Sequence, residues 1–132
     1  MDCIFCKIVA KQIPNHTIYE DEKVLAFLDI FPHANGHTIV VPKKHYENLV
    51  GLPIEEWQSL AIGFKNILDK IQAVLKPDGV NIGINDRPVA GQVVPHVHWH
   101  IFPRYKDDGG GSVHSIIKNP GEMKVEDVAK LF

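Results

Sequence analysis

The sequence predicts an α+β fold: a five-stranded antiparallel sheet, one long helix laid across it and a short helix near the N-terminus. Three observations carry this expectation. One stretch alone shows a sustained 3.6-residue apolar stripe, from Ile54 to Leu75. Five short runs, "HTIYED", "KVLAFLD", "GHTIVVP", "VNIGIND" and "VPHVHWHIFPR", read as strands. Their tight turns favour antiparallel neighbours, and no repeat divides the 132 residues into more than one unit.

The elements follow in order. In "CIFCKIVAK", residues 3 to 11, Ile4, Phe5, Ile8 and Val9 fall on one helical face, and Pro14 stops the pattern. Two strands then flank a charged turn at Asp21, Glu22 and Lys23. The third strand enters through Asn35-Gly36 and ends at Pro42. Pro53 suits the first turn of the long helix, where Glu55 and Glu56 complement the dipole. Ile54, Trp57, Leu60, Ala61, Phe64, Ile67, Leu68, Ile71, Val74 and Leu75 form its apolar stripe, a core face, ended by Pro77-Asp78-Gly79. "DDGGGS", residues 107 to 112, reads as a mobile loop, and "VEDVAKLF" as a short terminal helix. The whole chain, 1–132, is expected to be one domain, with its motifs in about 3–105 and a loop and tail in 106–132.

Composition narrows the function classes. The chain is 45% hydrophobic and 23% charged, with a net charge of −2 and both signs interspersed. No basic stripe marks a nucleic-acid surface. No run of ~18 apolar residues suggests a membrane span. The opening residues, with Asp2 and Lys7, lack the pattern of a secretory signal. Two cysteines in such a chain fit a reducing, cytoplasmic compartment, where C-x-x-C is more often metal-binding or redox-active than a disulfide.

The eight histidines are the unusual feature. His96, His98 and His100 alternate with Val97, Trp99 and Ile101. A strand sends the imidazoles to one face and the apolar residues to the other, under the long helix. Successive imidazoles then lie about 6–7 Å apart, near enough to share a ligand. Chance use of histidine on a polar strand face is the plain alternative, but β-propensity would supply threonine or valine instead. Two chemistries fit: a metal held by imidazoles with an open position for water, or a neutral imidazole attacking phosphorus. The second needs one ring nitrogen pinned as N–H and the other free.

"HVHWHI" resembles the H-φ-H-φ-H-φ signature of the histidine triad (HIT) family. "CIFCKIVAKQIP", "YEDEKVLAFLDIFPHANGHTIVVPKKH" and "NDRPVAGQVVPHVHWHIFPR" are similar to its other blocks in order and spacing, so the resemblance covers about residues 3 to 105. It implies a small homodimeric nucleotide hydrolase or nucleotidyl transferase acting at the α-phosphate of nucleoside phosphate derivatives. Dinucleoside polyphosphates, phosphoramidates and adenylyl sulfates are the candidate substrates. By resemblance His98 is the nucleophile, with His37 and His100 supporting it. Asp29 matches the acid that holds the ribose, although a plain turn-former is the alternative. Ile4, Phe5, Ile8, Phe27 and Ile30 match the base pocket, and Asn85, Gly91, Gln92 and Val93 match the loop that meets the phosphate. Val93 departs from the family's usual serine or threonine there, so a side-chain donor is lost and the rate or leaving-group preference is expected to differ.

Cys3 and Cys6 have the spacing of two tetrahedral zinc ligands. The zinc-bearing members of the family imply the other two, His45 and His96. A closed site of Cys3, Cys6, His45 and His96 is therefore expected to be structural, pinning the first helix beside the catalytic strand. Two other classes compete with the enzyme reading: a nucleotide-binding or scaffold protein with vestigial hydrolysis, and a metallohydrolase using His96, His98 and His100 as ligands.

Overall fold

The computed structural model describes residues 2–132. Its elements are α1 (Ile4–Val9), β1 (Thr17–Glu20), β2 (Val24–Leu28), β3 (Thr38–Pro42), α2 (Ile54–Leu75), β4 (Gly79–Ile84), β5 (Trp99–Arg104) and α3 (Val125–Ala129). The five strands form one antiparallel sheet in the order β1-β2-β3-β5-β4. The expected α+β architecture is therefore observed.

Both faces of the sheet are covered at its centre, which is why β2 and β3 are buried along almost their whole length. Val24, Ala26, Val40, Val97, Trp99 and Ile101 meet Leu60, Ile67 and Ile71 of α2. On the opposite face, Leu25, Phe27, Ile39 and Val41 meet Cys3, Phe5 and Ile8 of α1. The alternation of the strands distributes these residues, as the period of two requires. Gly63 lets α2 approach β2 closely: a Cβ there would lie 3.1 Å from Val24 Cγ1.

The apolar stripe of α2 is not all core. Ile54 and Val74 are exposed near its ends, and Trp57 and Leu75 partly so. A 22-residue helix spans about 33 Å, roughly twice a five-residue strand, so its ends outrun the sheet. Trp57 and Phe64 instead pack edge-on against Trp99, at ring separations of 5.5 and 5.8 Å. The helix stops at Lys76, whose φ of 49° is left-handed, and Pro77 follows it.

Turn chemistry matches the sequence. Asp21 Oδ1 accepts from the N–H groups of Lys23 and Val24, both at 2.8 Å, closing the β1–β2 turn. Gly36 has φ +87°, and a Cβ there would collide with Leu75. The loop expected to be mobile is clamped: Arg104 donates to both carboxylate oxygens of Asp108 at 2.7 Å and to the carbonyl of Gly111. Residues 106–132 are exposed throughout. Among the described residues, no helix is long and apolar enough to cross a membrane.

One boundary differs from expectation in a way that matters. "VPHVHWHIFPR" is a regular strand only from Trp99. Pairing with β3 ends at Val40↔Trp99. Two residues further along β3 stands Pro42, which has no N–H to offer. The N–H of Val97 donates instead to Tyr46 O at 2.7 Å. His96 and His98 thus precede the strand, although they still face away from α2.

Candidate functional site

Three imidazoles and one carboxylate gather on the α1 side of the sheet, where β3 meets β5. His98 is buried, and its Nδ1–H donates to the carbonyl of His96 at 2.7 Å. That bond leaves Nε2 with a free lone pair. Burial pushes the pKa of His98 down, more than its backbone bond and Asp29 push it up, so the ring stays neutral.

His37 and His100 form a second unit. The main-chain N–H of His33 donates to His37 Nδ1 at 3.1 Å, so that nitrogen is unprotonated. His37 Nε2–H then donates to His100 Nδ1 at 2.9 Å. By the same logic the proton of His100 sits on Nε2. Burial, and then the neighbouring His98 and His37, push the His100 pKa down to about 4. Burial also lowers that of His37, against the pull of Asp29. Asp29 Oδ2 lies 3.6 Å from His37 Nε2, while its Oδ1 accepts from the N–H of Phe31 at 2.8 Å. Asp29, His37 and His100 are close enough to share an ion. Their facing nitrogens already share a proton, so the cluster is satisfied without one.

The expected base-pocket residues separate into two kinds. Phe5, Ile8 and Phe27 are buried in the core between α1 and the sheet, whereas Ile4 and Ile30 are exposed. Phe5 still touches the site, edge-on to His98 at 4.9 Å and to His96 at 5.9 Å. Phe31, which the sequence reading passed over, is 78% exposed beside Ile30.

The loop before β5 also divides. Gly91 has φ +101°, which explains glycine there. Its N–H and that of Gln92 donate inward, to Pro88 O and Arg87 O. The Gln92 side chain is equally committed: Oε1 accepts from Arg87 N at 2.6 Å, and Nε2 donates to Glu47 O and Val94 O. Gln92 therefore holds the shape of the loop expected to meet the phosphate, its own donors being spent within the protein. Asn85 lies beside Gly91, its Cγ 3.5 Å from where a Cβ would stand. Val93 is 90% exposed and makes no hydrogen bond among the described residues, leaving its N–H open.

Beside this centre, four soft donors converge: Cys3, Cys6, His45 and His96. His96 is fully buried, and its Nε2–H donates to Pro42 O at 2.9 Å. Its Nδ1 lone pair therefore points at Cys3 Sγ (3.5 Å), Cys6 Sγ (3.6 Å) and His45 Nδ1 (3.2 Å). Cys6 Sγ is 3.3 Å from His45 Nδ1. A tetrahedron with bonds of 2.0–2.3 Å has edges of about 3.3–3.8 Å, so the donor set fits a closed four-ligand metal site. The spacing of the cysteines has a local cause. Cys3 caps α1, its sulfur accepting from the N–H of Cys6, so one helical turn brings both thiols together. His96, His98 and His100 do not converge: the first turns to the cysteines and the second to a carbonyl, which removes the reading of all three as ligands of one metal.

Similarity to known proteins agrees with this geometry. The HIT domain family matches residues 10–107. An uncharacterized HIT-like protein of Methanocaldococcus jannaschii is 50% identical over 117 residues, 89% of this chain and 90% of its own length. A HIT family protein from Bacillus anthracis superposes with a TM-score of 0.85 at 39% identity, covering 98% of this chain and 92% of its own. A zinc-bound histidine triad family protein from Mycobacterium smegmatis does so with a TM-score of 0.78 at 38% identity, covering 92% and 85%. With its sheet, its ordered histidines and these relatives in agreement, the chain belongs to the HIT family.

Proposed function

We propose that the protein is a nucleotide hydrolase or nucleotidyl transferase acting at the α-phosphate of nucleoside phosphate derivatives. The observation that carries this reading is the bond from His98 Nδ1–H to the carbonyl of His96. It fixes the one tautomer in which Nε2 can attack phosphorus. As the new P–N bond forms, the imidazole becomes cationic, and the carbonyl facing Nδ1–H stabilises that charge more than the neutral ring. The bond from phosphorus to the departing group breaks as its electron pair leaves. Water then attacks phosphorus, the P–N bond breaks, and a nucleoside monophosphate is released.

His100 presents Nε2–H, through the relay from His33 and His37, as a fixed donor to a phosphate oxygen. Asp29, held by the N–H of Phe31, receives the ribose hydroxyls. Ile4 and Ile30 offer exposed apolar contact to the base. Val93 N–H and Asn85 complete the phosphate side of the loop that Gln92 shapes.

We assign the closed Cys3, Cys6, His45, His96 site to zinc, on its edge lengths and its two thiol donors. Held by four protein donors, zinc there would supply folding energy rather than an activated water. The same reading makes the protein a homodimer through the free edge of β4, a surface that carries the partly exposed Val80 and Ile82.

The test is His98→Ala together with trapping on the wild type. Acid-quenched mass spectrometry of wild type with a nucleotide substrate is expected to find a nucleotidyl adduct on His98. The variant is expected to lose turnover by at least ~10³-fold while keeping fold and metal content. Negligible wild-type turnover on every nucleotide tested would instead indicate a binding protein.

A further inference from the structure

The two thiols of the chain stand together, and the proposed hydrolysis uses neither for chemistry. Cys3 and Cys6 are its only cysteines. Their sulfurs lie within 4.8 Å of one another across the first turn of α1. Cys3 is the N-cap, with extended backbone (φ −110°, ψ 121°), so its side chain is set outside the helical repeat and can turn toward Cys6. Burial separates the two. Cys3 is 3% exposed, whereas Cys6 is only partly buried, as is His45 beside it. A small oxidant therefore meets Cys6 first, with Cys3 in reach as the second thiol.

A metal-bound thiol is deprotonated, and the thiolate is the nucleophilic form. The Cys6 thiolate attacks one oxygen of hydrogen peroxide; an S–O bond forms, the O–O bond breaks and hydroxide leaves. The Cys3 thiolate then attacks the Cys6 sulfur; the S–S bond forms and a second hydroxide leaves. Each thiolate gives up one electron and the peroxide takes both, while two protons from solvent turn the hydroxides into water. The donor set thereby loses its two anionic members, and His45 and His96 alone do not retain a divalent cation.

The remaining donors accept this change. His45 Nδ1 and His96 Nδ1 are 3.2 Å apart, so the His45 ring can donate to His96 once no ion stands between them, while His96 Nε2–H stays on Pro42 O. What alters is the attachment of α1. With the metal bound, both sulfurs tie the helix to His45 and His96. With the disulfide formed, they bind each other, and α1 rests on the sheet through Phe5 and Ile8 alone. Phe5 is the α1 residue that covers His98, edge-on at 4.9 Å.

We infer that Cys6 is a site of oxidation by peroxide, that Cys3 resolves it to a disulfide, and that this expels the metal and loosens α1 over His98. This rests on the assignment of the four donors to zinc, and not on the α-phosphate chemistry.

The experiment treats the full-length, zinc-loaded protein with excess hydrogen peroxide. A chromogenic chelator is expected to collect about one equivalent of zinc. The peptide carrying both cysteines is expected to weigh two hydrogens less than its reduced form, and dithiothreitol with added zinc to restore the starting state. By NMR, the Nδ1–H of His98 is expected to exchange with solvent at least ~10-fold faster after oxidation. Cys6→His keeps four donors but removes the thiol pair, and is expected to release zinc at least ~10-fold more slowly under peroxide. Should that variant fail to hold zinc, release and mass in the wild type decide. Zinc retained by wild type, or zinc released with Cys6 carried on to sulfinic acid and no disulfide, would overturn the inference. An unchanged exchange rate at His98 would do the same, because it removes the link through Phe5. Protein that holds no zinc before peroxide is added fails the metal assignment itself, and the inference with it; nucleotide turnover tests the hydrolase reading separately.

Discussion

His100 ties the chemistry of the site to a measurable dependence of stability on pH. Its pKa falls from 6.5 to about 4 in the folded protein, chiefly through burial and then through the neighbouring His98 and His37. The unfolded chain therefore binds a proton between pH 6.5 and 4 that the folded chain refuses. The folded pKa of this base is depressed, so its contribution is complete above pH 6.5 and is lost as pH falls toward 4. Worked through the linkage relation, a shift from 6.5 to about 4 costs about 2 kcal/mol between pH 7 and pH 5. The ring is half-buried, and solvent screening brings the figure to between about 1 and 2 kcal/mol. The assay is urea unfolding of wild type and His100→Asn at pH 7, 6 and 5. The variant is less stable at pH 7, because His37 loses its acceptor, but it loses less on acidification. The difference between the two proteins is expected to shrink by about 1–2 kcal/mol from pH 7 to pH 5. A constant difference across that range would refute both the depressed pKa and the neutral relay built on it.

Three further perturbations test separate parts of the site. Purified wild type is expected to carry about one equivalent of zinc, and Cys6→Ser less than a tenth of that, with Tm lowered by roughly 10 °C; full zinc content in the variant would remove the four-ligand assignment. Gln92→Leu breaks three hydrogen bonds that shape the loop before β5 and is expected to lower kcat/KM about 10-fold or more, while Tm moves by only a few degrees because the loop is mostly exposed. An unchanged rate there would mean that the loop keeps its shape without the glutamine. Val93→Ser adds a hydroxyl beside an open N–H at a 90% exposed position and is expected to raise kcat by about 2–10-fold at no cost in stability; a lower rate would place the phosphate away from residue 93.

Much of this protein is legible from local pattern. The long stripe of α2, the alternation of β2 and β3, and the Asp21 and Gly36 turns each carry their own signal within a few residues. The two cysteines carry a signal of their own, because Cys3-x-x-Cys6 is a spacing that one helical turn enforces, whereas His45 and His96 join them only through the family resemblance. What could not be read depends on contacts distant in sequence. The exposure of Ile54 and Val74 follows from a helix longer than the sheet it covers, which no periodicity reports. The resemblance puts Gln92 in the loop that meets the phosphate, but that its amide is spent on Glu47 O and Val94 O is set by the fold. His33 carried no signal, because its part is played by a main-chain N–H that any residue could offer; only the fold brings it to His37.

The most instructive departure is the late start of β5. Had the strand run regularly from Val94, the backbone groups of Val97 would have faced Pro42 of β3, and those of His96 the β4 side. Because Pro42 cannot donate, the ladder with β3 stops at Trp99; β4 ends at Ile84, opposite the same residue, so no strand faces the carbonyl of His96, which accepts from His98 Nδ1–H. The freed backbone also lets Nε2 of the same His96 reach Pro42 O, which aims Nδ1 at the two cysteines. His96 thus turns three atoms to three sides, its carbonyl to His98, Nε2 to Pro42 and Nδ1 to the cysteines and His45, where the strand is interrupted. The two-residue spacing of the histidines supplies candidates on a common face. The interruption turns His96 to the cysteines and leaves His98 Nε2 free, and the resumed strand holds His100 against His37, which is the division of labour that the proposed function requires.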